Sequence, residues 1–208
     1  MPVTINGDGT ISGLAVGGLP DGSVDADTIA ANAVTTTKIA NSAVTSVKTT
    51  GLGVITMAEL WRLQSALQGN RTPFTGWNVV NTGNAGKIGS SMSESSGVFT
   101  FPSTGIYLIM FVLQGYSDNS TQNLIGNIQT TTNNSSYTGV AYSQNGIYDF
   151  SNSYASHSNG MNTHIFDVEN TSTHKVRFTY GAGQGGEYCD GHGSYTKTSA
   201  TFVRLGDT

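Results

Sequence analysis

The sequence predicts a mainly β protein with an N-terminal trimeric repeat stalk, a short coiled-coil-like helix and a C-terminal β-sandwich of jelly-roll type. Three observations lead to this prediction. Apolar residues recur every five positions early in the chain, one amphipathic helical pattern follows, and short alternating strands then continue to the end. We therefore divide the chain into an attachment segment 1–21, a stalk 22–53, a helical collar 54–70 and a jelly-roll head 71–208.

The composition excludes several classes of protein. Charged residues make up 11% of the chain and the net charge is -4, whereas globular proteins typically carry ~25% charged residues. Such sparse charge forms no basic patch, so we expect neither nucleic-acid binding nor membrane insertion. Cys189 is the single cysteine, which rules out an intrachain disulfide. The first residues lack the basic start and apolar core of a signal peptide, so we expect assembly in a cytoplasm.

The attachment segment contains a hairpin signal. Asn6-Gly7-Asp8-Gly9 lies between two short alternating runs, 3–5 and 10–14, and Asn-Gly and Asp-Gly are the commonest residues of tight hairpin turns. A lone hairpin is marginally stable in water. We therefore expect this segment to pair with another chain.

The stalk prediction depends on a regular repeat. Three valines and two isoleucines alternate every five residues, a period that fits neither a helix nor a simple strand; they are Val24, Ile29, Val34, Ile39 and Val44. Such a thin segment cannot bury its own apolar stripe and needs neighbours. Three chains wound about one axis satisfy this need, and a single-chain pentapeptide β-helix is the alternative.

The collar prediction depends on the segment TMAELWRLQSALQ at 56–68. Thr56 and Glu59 have the spacing of a capping box, and Gly69 follows as a C-terminal stop. Its apolar stripe includes Met57, Leu60 and Leu67. A helix of this length is marginal alone, so we expect three copies to form a short coiled-coil collar.

The head prediction depends on eight candidate strands, which are 76–81, 97–101, 106–114, 122–131, 136–142, 163–169, 175–180 and 199–205. The strand at 106–113 is apolar on both sides. One side carries Tyr107, Ile109 and Phe111, and the other carries Leu108, Met110 and Val112. One side would enter the core, and a second copy of the protein is the expected cover for the other.

Two parts of the sequence resemble known families. Trp77, the motif Gly97-x-Phe99-x-Phe101-Pro102-x-x-Gly105-Ile106-Tyr107 and the closing strand at 198–205 resemble the trimeric jelly-roll heads of the complement and tumour-necrosis-factor superfamily. The repeat GLPDGSVDADTIAANAVTTTKIANSAV resembles the shafts of bacteriophage tail and virion fibres, especially those of marine and cyanobacterial phages. The combined resemblance implies a homotrimeric virion fibre, assembled in the host cytoplasm. It would be joined to other virion proteins through its N-terminus and would bind a host-surface receptor or glycan through its head.

Loop tyrosines amid Ser, Asn and Gly form a mixture typical of recognition surfaces. The candidate receptor-binding residues are Tyr137, Tyr142, Tyr154, Tyr188, Asp190 and His192. We expect no cofactor and no metal, since Cys189-x-x-His192 has no second ligand pair nearby.

Two alternative functions stay open. One is a capsid decoration or head-fibre protein of the same build. The other is a polysaccharide-degrading fibre enzyme, which would need a spatially paired set of carboxylates. Its candidate residues are Asp149, Asp167, Glu169, Glu187 and Asp190. We expect a binding protein and no catalytic residues.

Overall fold

The computed structural model describes residues 4–5, 7, 11–12, 29–41, 43–44, 55–83, 85–117, 121–147, 156–182 and 187–208. The chain divides into two compact units, Met1–Thr50 and Gly51–Thr208. In the first unit, strand β1 (Thr4–Ile5) pairs antiparallel with β2 (Ile11–Ser12). The hairpin predicted from the Asn-Gly and Asp-Gly turn is therefore confirmed. Val24 lies outside the described residues.

In its described part, 29–41 and 43–44, the repeat forms a tight turn every five residues. Backbone N–H groups donate to the carbonyl oxygen three residues earlier at Ala33 to Ala30, Lys38 to Thr35 and Ala43 to Ala40, over 2.9–3.0 Å. The middle turn includes a 3₁₀ segment, Thr36–Lys38. The apolar side chains point outward, with exposed fractions of 43% for Ile29, 56% for Val34, 39% for Ile39 and 52% for Val44. A single copy of the chain thus leaves this part of the repeat uncovered.

The second unit is built from antiparallel strands. They are β3 (Met57–Leu63), β4 (Leu67–Gln68), β5 (Trp77–Val79), β6 (Ser93–Ser95), β7 (Val98–Thr100), β8 (Gly105–Ser117), β9 (Thr121–Thr131), β10 (Thr138–Ile147), β11 (Ser156–Val168), β12 (Lys175–Ala182), β13 (Tyr188–Cys189) and β14 (Ser199–Gly206). One sheet has the order β10-β9-β12-β7-β6. The other has the order β4-β13-β8-β14-β3-β5, with β11 paired to β8. All eight strands predicted in the head are present, with shifted boundaries.

The predicted helical collar at 54–70 is wrong. Met57 and Leu60 lie in β3, which pairs with β14 and with β5, and Leu67 lies in β4. An isolated helix of this length is marginal. Pairing along the free edge of β14 satisfies the same backbone groups and also buries Met57 and Leu63 in the core. Tertiary packing therefore overrides the local helix propensity, and the compact unit begins well before residue 71.

The core between the two sheets is dominated by aromatic rings. Phe111 of β8 stacks on Phe178 of β12 with centroids 4.7 Å apart, which joins the two sheets directly. Phe99 and Phe202 lie 5.2 Å apart and Trp77 packs beside them. Such ring pairs add roughly 0.5–1.5 kcal/mol each beyond the area they bury.

The turn before β8 explains the spacing of the Pro-x-x-Gly-x-Tyr motif. The Tyr107 hydroxyl donates to the carbonyl oxygen of Ser103 over 3.0 Å, which ties the buried ring to the turn. Arg204 Nε donates to the carbonyl oxygen of Thr104 over 2.8 Å. Gly105 has φ +138°, and a Cβ at this position would lie 2.5 Å from Arg204 Nε. A side chain at residue 105 would therefore collide with the closing strand.

Candidate functional site

The two sides of β8 have different environments. Tyr107, Ile109 and Phe111 have no exposed surface and face the core. Leu108 and Met110 alternate with them, are partly exposed and face away from the sandwich. The sequence did not determine which of the two sets of β8 side chains enters the core. In the structure it is the set that contains Tyr107, Ile109 and Phe111.

Neighbouring strands extend this outward side into an apolar surface. Cross-strand partners lie on the same side of a sheet, and Leu108 has Ile165 and Val203 as its partners. We name this surface the outer face and define it by the aligned residues Ala58, Leu60, Leu108, Met110, Val112, Met161, Thr163, Ile165, Thr201 and Val203. None of these ten residues is charged, but two charged residues continue the same rows, Arg62 through Ser199 and Val112, and Asp167 opposite Ile106. Met161 is 67% exposed and Ile165 is 60% exposed, so this patch is large, apolar and uncovered.

Sequence reasoning missed the contribution of β11 to the outer face. The predicted strand began at 163, whereas β11 spans Ser156–Val168. The signal was present, because the outward Met161 and Ile165 alternate with the buried Phe166 and Val168. Interspersed Ser, Asn, His and Gly residues weakened the apolar periodicity of the first half.

An aromatic row lies at one end of the same sheet. Tyr188 stacks on Tyr116 with centroids 4.8 Å apart and an interplanar angle of 4°, and His157 lies 5.5 Å from Tyr116 on the other side. These three residues are cross-strand partners on β13, β8 and β11. Tyr188 is therefore part of an ordered stack rather than a separate loop side chain.

The five-stranded sheet has a polar outward side. Arg177 lies 3.9 Å above the Tyr137 ring and its Nε donates to Gln129 Oε1 over 2.8 Å. Burial raises the pKa of Tyr137, while the Arg177 charge acts in the opposite direction. Tyr142 is 57% exposed and donates to Gln144. We name Asn123, Gln129, Tyr137, Tyr142, Gln144 and Arg177 the polar face.

The remaining predicted site residues have different positions. Asp190 is 4% exposed and pairs with Lys197 Nζ at 2.7 Å, so its carboxylate anchors the 190–198 loop and is not available to a receptor. His192 is exposed, and its Nδ1 accepts from the backbone N–H of Ser194 and Tyr195. Tyr154 lies outside the described residues.

Burial raises the pKa of the Cys189 thiol to about 12. Its hydrogen bond with Thr198 Oγ1, 3.3 Å long, acts in the opposite direction, and the Asp190 carboxylate raises the pKa further. A thiol whose pKa is raised this far stays protonated and unreactive at mildly alkaline pH.

We expect Cys189 to resist labelling by a thiol-specific disulfide reagent in the native protein and to react once the protein is unfolded. The pKa of Cys189 in the folded protein is above its value of about 9 in the unfolded chain. The protonated thiol therefore contributes fully to stability below pH 9, and this contribution is lost as the pH rises toward 12. The extent of Cys189 labelling is measured, with and without denaturant, from the absorbance of the thiolate that the reagent releases. Rapid stoichiometric labelling in buffer alone would contradict the buried placement.

Other chemistry is sparse in the part of the chain that the structure describes. Within it, no three His, Cys, Asp or Glu side chains are grouped as metal ligands. No helix among those residues is long and apolar enough to cross a membrane. Burial lowers the pKa of His164 on β11.

No protein-family model matches the chain, and no curated protein matches it. Several solved structures match the chain. The chain is similar to the structure of Eiger TNF from S. frugiperda, with a TM-score of 0.55 and 12% identity over 74% of this chain and 96% of that one. It is also similar to murine APRIL at pH 5.0, with a TM-score of 0.51 and 10% identity over 72% and 98%. At these identities the likeness shows the fold, and the second unit is a jelly roll of the tumour-necrosis-factor type.

Proposed function

We propose that this chain is a homotrimeric, non-enzymatic virion fibre protein. Its repeat forms the stalk, and its jelly-roll domain is a head that binds a host-surface receptor. The observation that carries the proposal is the outer face, whose ten aligned residues are uncharged and mostly apolar, with Met161 and Ile165 more than half exposed. Contiguous exposed apolar patches of this kind mark interaction sites.

Another copy of the chain is the occupant that fits the outer face. A patch of ten adjoining uncharged residues gives little electrostatic selectivity for a foreign partner. The valines and isoleucines of the repeat are also apolar side chains exposed to water. Association of identical chains would cover these side chains as well as the outer face. The number three comes from the resemblance of the head motif to trimeric heads and of the repeat to virion fibre shafts.

The polar face is the candidate receptor surface. It lies on the sheet opposite the outer face, so self-association through the outer face leaves it open. Tyr142, Tyr137 and Arg177 present rings and a guanidinium, and amides of Asn123, Gln129 and Gln144 surround them. Rigid rings with adaptable amide hydrogen bonds suit glycan or protein recognition.

Competition for host cells tests the function. Purified full-length protein should bind host cells and reduce adsorption of the virus. Tyr142→Ala should weaken both effects while the trimer stays intact, because Tyr142 is exposed and outside the core. Protein that binds no host cell, but is found by antibody labelling on the capsid of the particle, would contradict the receptor-binding proposal and favour capsid decoration.

A further inference from the structure

A cavity of about 460 Å³ opens between β3 and the edge strand β5. It is lined by Trp61, Arg62, Gln64, Asn78, Val79 and Asn81. Arg62 and Asn78 are cross-strand partners, and so are Trp61 and Val79. The Trp61 ring packs on Phe99 in the core, with centroids 5.2 Å apart, so Arg62 and Asn78 occupy the opposite side of the two strands. The cavity therefore combines a guanidinium with side-chain amides.

Arg62 is the unusual member of this set. It is 5% exposed, and its Nη1 donates to Thr82 Oγ1 over 3.3 Å. Its Nε has no hydrogen-bond partner among the described residues, and none of the described carboxylates forms an ion pair with it.

A buried charge without a counter-ion lowers the stability of the folded protein. An arginine that is nine-tenths buried, lines a cavity and has no anionic partner among the described residues is therefore suited to an anionic ligand. The cavity is within the range of ~300–1,000 Å³ typical of small-molecule sites, and it is far larger than a bare inorganic anion needs. The amides of Gln64, Asn78 and Asn81 around it are suited to hydroxyl groups.

We propose that this cavity binds an acidic sugar, with its carboxylate on Arg62 and its hydroxyls on the surrounding amides. The Arg62 guanidinium donates to the carboxylate, and the amide of Asn78, its cross-strand partner on the same side of the sheet, binds the hydroxyls. This inference rests on the proposed function, because it adds to the head a second contact for a host glycan and names the chemical class of that glycan. The site is distinct from the polar face, which lies on the other sheet.

The test uses the full-length protein with glucuronic acid as the probe, glucose as its uncharged counterpart and sodium sulfate as a bare anion. Isothermal titration and ligand-induced shifts in Tm report binding. Glucuronic acid should bind at least about tenfold more tightly than glucose, since a charge-assisted contact contributes that much or more. Arg62→Gln should remove this preference, and Asn78→Ala should weaken binding with less effect.

Arg71→Gln is the matched control, because this guanidinium lies outside the cavity and donates to the carbonyl oxygen of Asn70 over 2.9 Å. Its binding of glucuronic acid should equal that of the unaltered protein. A second readout excludes a structural role for Arg62. Without ligand, Arg62→Gln should have an unchanged or higher Tm, because the substitution removes a buried unpaired charge.

Four results would overturn the inference. They are equal affinity for glucuronic acid and glucose, equal occupancy of the site by sulfate, a lower ligand-free Tm of Arg62→Gln, and dissociation of Arg62→Gln into monomers. The last would mean that a carboxylate of a neighbouring copy occupies the site. Native mass and host-cell binding are measured on the same preparations. An intact trimer that binds cells but ignores glucuronic acid would refute this inference alone, whereas a monomer that binds no cells would refute the proposed function.

Discussion

Phe111→Asp should prevent folding of the jelly-roll domain. The Phe111 ring has no exposed surface and stacks on Phe178 of the opposite sheet at 4.7 Å. Loss of a buried phenylalanine side chain costs about 3–5 kcal/mol, and burial of a carboxylate without a partner adds several more. The sum is comparable with the whole stability of a typical domain, about 5–15 kcal/mol.

Near-ultraviolet circular dichroism measures this effect, because the stacked aromatic core gives a signal that disappears on unfolding. Phe111→Leu is the matched control and should fold with reduced stability, since it keeps an apolar side chain at the position. A folded Phe111→Asp domain with an unchanged aromatic spectrum would contradict the placement of this side of β8 in the core.

Met110→Asp should leave the domain folded and break the trimer. Met110 is adjacent to Phe111 but belongs to the outer face, where it lies beside Thr163 and Thr201 of the flanking strands. In a single chain the new carboxylate remains in water. In the proposed trimer each copy buries one unpaired carboxylate, at a cost of at least about 3 kcal/mol per copy, which is about two powers of ten in dissociation constant.

Native mass combined with the same aromatic spectrum distinguishes the two neighbouring substitutions. Ser172→Asp is the matched control, because Ser172 is exposed in the turn after β11 and outside the outer face. It should stay trimeric. If Met110→Asp were as trimeric as this control, the outer face would not be the assembly surface.

Much of the jelly roll was predictable from local pattern. Strands with a buried and an exposed side, such as β12, show the period-2 alternation of Val176, Phe178 and Tyr180 directly in the sequence. The apolar run of β8 was predicted to have two distinct sides, and Tyr107 and Phe111 do face the core. What the pattern could not decide was the direction of each side, because both are apolar.

Strand β3 shows the limit of local reasoning. Its segment has a capping-box spacing and good helix formers, yet it pairs with β14 and β5. The buried Glu59 explains part of the difficulty. Its Oε2 accepts from Trp61 Nε1 and from the backbone N–H of Met92, both over 2.9 Å. The sequence alone does not distinguish a glutamate that makes these long-range hydrogen bonds from a glutamate that caps a helix.

Site residues were harder to predict than strands. Tyr142 is exposed as expected, but Asp190 forms a buried ion pair and Tyr188 belongs to a ring stack. Loop tyrosines have no periodicity that separates exposed rings from packed ones. Arg62 lies inside a segment that was predicted as a helix. That none of the described carboxylates pairs with it becomes visible only in the folded structure.

The central claim is that identical chains cover the outer face and the exposed apolar side chains of the repeat. Native mass spectrometry of the full-length protein at low micromolar concentration tests it most directly. The account predicts a single species of three times the 21.7 kDa chain mass. A folded species with the mass of one chain would contradict it, because the outer face and the repeat would then be stable in water without a partner.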